Sequence, residues 1–290
     1  MSGTPRGGIQ TWKSLIKYVK SPLNADLALL YGDKFNMPDF LLGQAEHNWI
    51  FEEPKNWKNF YIDRFEDQTA LNFLLKGEKY GMAGGIDNFS GSGAIVSGFK
   101  IIINESYLDI ISKYKYIIHS RFDQYYVDYH PEFNGDKIWI PKGEDYFGIF
   151  DRHAVFPASM SEKYFNIASY LGDKKSYKNF RYKVSPESVF LGNLEFHNLQ
   201  KSIERVDRFQ FTSSTKHDTT RWRKAIYKLH LTGGIMIKYP DEFIESIKNS
   251  INKNGMNYIF NHPVLCMNYY YLCLRRYLGK IKKNMKKIMT

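Results

Sequence analysis

SGAIVSGFKIIINESYLDIISKYKYIIHS, residues 92 to 120, carries two kinds of hydrophobic spacing, and the change between them decides the fold class. As far as about Tyr114, the residues Ile95, Phe99, Ile102, Ile103, Tyr107, Ile110 and Ile111 recur at steps of three and four, which predicts one long helix with one buried face. YKYIIHS then reads as a strand. The glycine-rich approach GMAGGIDNFSGSG lets backbone come close to a neighbour before the helix begins.

Working outward, ADLALLYG (25 to 32) reads as a short buried strand followed by a turn-forming Gly-Asp, and NFYIDRF (59 to 65) as a second strand candidate. KIWIP (137 to 141) is a strand ended by proline. Ser159 with Glu162 is a capping-box pair opening a helix through about Leu171, and Ser185-Pro186-Glu187 opens another. RFQFT (208 to 212) alternates like a strand. Strands interleaved with helices predict a layered α/β domain with a largely parallel sheet over residues 1–242, followed by a basic helical extension over 243–290. No internal repeat and no heptad run of useful length is read from the chain.

Length and composition set the bounds. A chain of 290 residues buries a sizeable core without disulfides or metals. Hydrophobic residues at 43% and aromatics at 17% exclude a disordered chain, and 22 Tyr with 21 Phe make it rich in rings that serve either as core or as stacking faces for bases and sugars. The net charge of +11 is unevenly spread: from Ser246 to Thr290 there is no acid and nine Lys or Arg, so the rest of the chain is nearly neutral at +2. The tail is therefore read as a solvated end, as a contact for an anionic membrane surface or as a nucleic-acid contact. Cys266 and Cys273, seven apart in an apolar stretch, lie about 10 Å apart on one helical face and read as free thiols in a reducing compartment. The N-terminal residues lack the apolar core of a signal peptide, and YIFNHPVLCMNYYYLCL is interrupted by Asn261, His262, Pro263 and Asn268, so no spanning helix is expected. These features predict a cytoplasmic protein with peripheral membrane contact.

Three stretches carry chemistry. In SRFDQY, Arg121 and Asp123 follow a strand, where ligands bind open α/β sheets; the carboxylate suits a divalent cation or sugar hydroxyls, the arginine a phosphate, and an Arg-Asp pair closing a loop is the plain alternative. IPKGEDYFGIFDRHAVF (140 to 156) places Glu144, Asp145, Asp151, Arg152 and His153 in a glycine-punctuated loop. Asp145 capping a turn and His153 as a hydrogen-bonded core residue are its structural readings, while Asp151 beside an apolar segment suits a general base. KHDTTRWRKAIY (216 to 227) supplies hydroxyls, Arg221 and Arg223 as phosphate donors, Trp222 as a stacking face and His217 as a late metal ligand; helix capping by Asp218 or Thr219 reads equally well.

The succession SRFD, KIWIPKGEDYFGIFDRHAV, SPE and TTRWRKAIY resembles glycosyltransferases of large DNA viruses of algae and of bacterial surface-polysaccharide clusters, over roughly residues 20 to 240. The resemblance implies a GT-A fold, a Rossmann-like α/β/α sandwich that binds a nucleotide-sugar and often Mn2+ or Mg2+, and a viral protein at work in host cytoplasm. It places Asp123 at the metal and diphosphate position and Asp151 facing the glycan acceptor. Arg121, Gln124, Thr220 and Arg221 then join Asp123 on the donor, Asp145, Tyr146, Arg152, His153 and Trp222 face the acceptor, and His217 joins Asp123 as a metal ligand. The Asp-x-Asp usual in that fold is a single acid here, with the next at Asp128. The implied activity is transfer of a sugar to a glycan hydroxyl, with Asp151 as base. The rival readings are a nucleic-acid-binding protein built on the tail and the aromatic residues, which the near-neutral body disfavours, and a non-catalytic carbohydrate-binding relative.

Overall fold

A computed structural model describes residues 1–65, 92–174, 176, 185–215, 227–231 and 234–288. Helix α1 (Gly8–Leu15) continues through a π-turn (Ile16–Lys20), and strands β1 (Ala28–Gly32) and β2 (His47–Phe51) precede α2 (Trp57–Ile62). Helices α3 (Ser92–Ser106) and α4 (Leu108–Ile111) lead into β3 (Tyr116–Ser120), β4 (Gln124–Tyr126), β5 (Ile138–Pro141) and β6 (His153–Pro157). Then come α5 (Ser161–Phe165), α6 (Ile167–Gly172) and α7 (Pro186–Phe196). Strands β7 (Ile203–Val206), β8 (Gln210–Thr215), β9 (Tyr227–Leu231) and β10 (Ile235–Ile237) precede two long helices, α8 (Pro240–Asn261) and α9 (Pro263–Ile288).

These elements form two compact units, neither of them one continuous segment. The first comprises Met1–Thr4, Leu27–Arg121 and Glu132–Val206; the second comprises Pro5–Asp26, Phe122–Pro131 and Asp207–Thr290.

In the first unit β1 and β2 pair in parallel, and a four-stranded sheet has the order β3-β6-β5-β7. β3 runs antiparallel to β6 from Tyr116↔Pro157 to Ser120↔His153, β6 is antiparallel to β5, and β5 is parallel to β7. Ser2 links the two sheets, bridging in parallel to both Leu30 and Arg121. The largely parallel central sheet expected from the sequence is thus not seen among the described residues, where the sheets are small and mixed. Connection length explains the difference. β5 and β6 are joined by the helix-free loop 142–152, which turns the chain back, whereas the path from β5 to β7 passes through α5, α6 and α7 and can return in parallel.

The core of this unit is built largely from rings. Tyr164 stacks on Phe156 with centroids 4.0 Å apart, and Trp57, Tyr61 and Phe99 are buried beneath α2 and α3. The first four residues of NFYIDRF are helical rather than extended and a turn follows, because Asn56 caps α2 by accepting the Lys58 N–H and the next turn buries Trp57 and Tyr61 on one side. β2, HNWIF, was not read as a strand. Its half-buried face sets Trp49 flat on Tyr107 at 4.1 Å. The expected Ser159–Glu162 capping box does not form: Ala158–Met160 is a 3-10 turn, α5 starts at Ser161, and Asn166 breaks the helix and caps α6 by accepting the Ser169 N–H. Ser185 does cap α7, in a reciprocal box with Ser188. Helix α3 is buried all round from Phe99 to Ile103, not along one face.

The second unit holds the antiparallel sheet β4-β8-β10-β9. Phe211, Ile235 and Ile237 pack with Phe243 and Ile247 of α8 and Leu272 of α9. The boundary expected after residue 242 falls inside α8, whose residues on both sides of it belong to this unit. Helix α8 is kinked at Gly255, which at φ 61° and ψ −145° takes a backbone shape closed to other residues. Cys266 and Cys273 are free thiols. No helix among the described residues is long and apolar enough to cross a membrane.

Candidate functional site

The distinctive stretch of the sequence, residues 143–153, is a loop laid against the start of α7. Gly143, Glu144, Tyr146 and Phe147 all have positive φ, three of them without the freedom of glycine, and such strained backbone persists only when its surroundings hold it. The holders are identifiable. Asp145 accepts the Phe150 N–H and forms a two-pronged ion pair with Arg205, while Ser185 donates its hydroxyl to the Tyr146 carbonyl. Gly148 lies so close to α7 that a Cβ there would sit 2.0 Å from the Glu187 carbonyl oxygen.

This packing carries Asp151 and Arg152 to the head of β6, where Arg121, at the end of β3, donates its N–H to the Arg152 carbonyl. Four charged side chains gather there with almost no access to water: Lys100 of α3 is 1% exposed, Asp151 2%, Arg152 3% and Glu187 of α7 6%. Arg152 Nη1 lies 3.7 Å from Glu187 Oε1, and its Nη2 donates to the Glu144 carbonyl. Lys100 Nζ sits 3.7 Å from the centre of the Phe190 ring. Neither carboxylate oxygen of Asp151 has a hydrogen-bond partner among the described residues.

Burial and mutual charge set the protonation of this group. Glu187 is pushed up to about 8, first by burial and then by the negative charge of Asp151, with Arg152 pulling the other way. Lys100 is pulled down to about 8 by burial, opposed by Asp151 and Glu187 and assisted by Arg121. Close by, His119 is held well below the usual imidazole range, mainly by burial and then by Lys100; its ring nitrogens meet the Ser2 hydroxyl at 3.0 Å and the Tyr164 hydroxyl at 3.1 Å. Near neutral pH Glu187 therefore keeps its proton.

Of the residues singled out from sequence, Arg121, Asp151 and Arg152 meet in this cluster, and His153, buried at the head of β6, adjoins it. Asp145 is committed to Arg205, and Tyr146 lends its carbonyl to Ser185 and its ring to the Arg152 guanidinium at 5.9 Å, so both act in holding the loop. Asp123 and Gln124 belong to the second unit. There Asp123 Oδ2 lies 3.7 Å from Lys238 Nζ and its carbonyl accepts the Ser213 N–H, while Gln124 donates to Thr212. His217, Thr220, Arg221 and Trp222 lie outside the described residues.

An acid paired with an ammonium ion does not by itself fit a divalent cation, and among the described residues no three His, Cys, Asp or Glu gather as a metal-binding group.

The sequence reading missed Lys100 and Glu187. Lys100 leaves a legible signal, a lone cation inside the apolar run GFKIIIN, whereas Glu187 reads only as a helix-opening acid. No family model, curated protein or solved structure matches the chain.

Proposed function

We propose that the chain is a glycosyltransferase of GT-A type that moves a sugar from a nucleotide-sugar to a hydroxyl of a glycan acceptor. The observation that carries this reading is Asp151: a buried carboxylate at the head of a strand, beside Lys100, with neither oxygen hydrogen-bonded to any described residue. A protein keeps such a group against its desolvation cost when a substrate supplies the missing donor.

In the proposed reaction the bond from the sugar C1 to the diphosphate oxygen breaks and its electron pair stays with the diphosphate. The acceptor oxygen forms the new bond to C1, and its proton passes to Asp151. Lys100, Arg121 and Arg152 give the cluster the positive charge that a departing diphosphate requires. Since the four charges are buried, substrate entry requires displacement of a covering segment.

A thermal-shift screen of nucleoside diphosphates and their sugar conjugates, with and without Mn2+, tests the proposal. A true donor at about 100 times its Kd stabilises the native state by about 2.7 kcal/mol and raises the melting temperature accordingly. Silence across the whole panel counts against a glycosyltransferase, and glycan binding without nucleotide release points to a non-catalytic carbohydrate-binding protein.

A further inference from the structure

Helix α9 presents an apolar face that nothing among the described residues covers. Leu265, Cys266 and Leu272 turn inward onto the second unit, and Arg276 bridges Asp241 at the start of α8. On another face Met267, Tyr271, Leu274, Leu278, Ile281 and Met285 follow one another at steps of four and three, and all are exposed. This is the regular run that was not recognised in the sequence, where the inward-facing apolar residues of the same helix fill the gaps between its members. From Leu274 to Met285 every residue whose side chain is described is exposed, so this end of the helix stands out from its own unit.

The charge on the rest of the helix selects the occupant. No acid occurs from Ser246 to Thr290, Arg275, Lys280, Lys282 and Lys283 fall between members of the apolar stripe, and Lys286 and Lys287 follow its last member. Two copies packed through the stripe would bring like charges together along their length. A lipid surface bearing anionic headgroups meets both demands, since it takes up the apolar side chains at the acyl boundary and neutralises the lysines beside them. With 26 residues α9 is about 39 Å long, and it is not apolar enough to cross a membrane. We propose that α9 is an in-plane membrane anchor, inserting the stripe from Met267 to Met285 into the headgroup region of anionic bilayers. The inference is independent of the chemistry at Asp151.

The test is flotation of the full chain with vesicles of phosphatidylcholine alone or with about one third phosphatidylserine. Binding is expected to the anionic vesicles only and to weaken at about 0.5 M salt, where charge attraction is screened. Leu274 and Leu278 are 57% and 54% exposed, so L274E/L278E leaves the fold intact, checked by an unchanged melting curve, and is expected to lower vesicle affinity about a hundredfold. K280E/K282E is expected to lower it about tenfold. Equal flotation with and without anionic vesicles overturns the proposal. So does a concentration-dependent dimer that L274E/L278E dissolves, which would assign the face to a second copy, or tight binding of single-stranded RNA that L274E/L278E leaves unchanged while vesicles are ignored.

Discussion

Arg205 grips both carboxylate oxygens of Asp145, with Nη1 on Oδ2 at 3.1 Å and Nη2 on Oδ1 at 2.9 Å, and the same guanidinium donates to the carbonyls of Ile140 and Pro141. One side chain of β7 thus ties the end of β5 to the loop that delivers Asp151. The pair is about one third exposed, so solvent screens part of its attraction. Asp145→Asn is expected to cost about 0.5–1.5 kcal/mol in urea unfolding, and Arg205→Ala, which also strips two carbonyls of their donor, about 2 kcal/mol. Equal losses in the two variants would deny the carbonyl bonds any share.

Gly148 is expected to tolerate no side chain. Its Cβ would meet the backbone of Glu187 and Ser188 at 2.0 to 2.3 Å, and a helix start fixed by a capping box cannot retreat without losing Tyr146 from Ser185. Gly148→Ala should lower stability by about 2–4 kcal/mol, measured by thermal or urea unfolding. A melting temperature within a degree or so of wild type would show that the loop does not rest on α7.

Glu187 makes the fold sensitive to alkali. Its folded pKa is raised from 4.5 to about 8, so the folded state binds the proton more tightly than the unfolded chain does. That contribution is complete below pH about 4.5 and is lost as pH rises through about 8. Glu187→Gln mimics the protonated form: it is expected to match wild type near pH 5 and to exceed it in stability at pH 9. Parallel pH–stability curves for the two proteins would place the titration elsewhere. Lys100, lowered to about 8, acts oppositely, its contribution being complete above its unfolded pKa of 10.5 and lost as pH falls through about 8.

Asp151→Asn keeps the shape of the side chain and removes the base. Under the proposed chemistry turnover falls by about two to four powers of ten while donor binding, followed by thermal shift, is retained. Turnover equal to wild type would remove Asp151 from the reaction.

How far the sequence reveals this molecule depends on whether a signal is local. α3, β3, β5 and the start of α7 are legible because spacing, a terminal proline or a Ser-Pro cap encodes them within a few residues. The pairing of strands is not, since whether β5 meets β6 in antiparallel fashion depends on how loop 142–152 folds back, and that rests on Arg205 lying far along the chain. The same holds for the candidate site. Asp151 and Arg152 stood out in their loop, whereas Lys100 and Glu187 gain meaning only once α3 and α7 converge on it. Asp145 looked like a ligand-facing acid for the same reason that it is a good anchor: it is charged and lies in a turn.

The discontinuous make-up of the two units bears on how the protein is born. β4 leaves the ribosome well before its partner β8 has been translated, an interval on the order of ten seconds at ordinary elongation rates. Through that wait Phe122–Pro131 and the early helix α1 have no sheet to join. The second unit therefore closes only after α8 and α9, which pack on its sheet, have emerged.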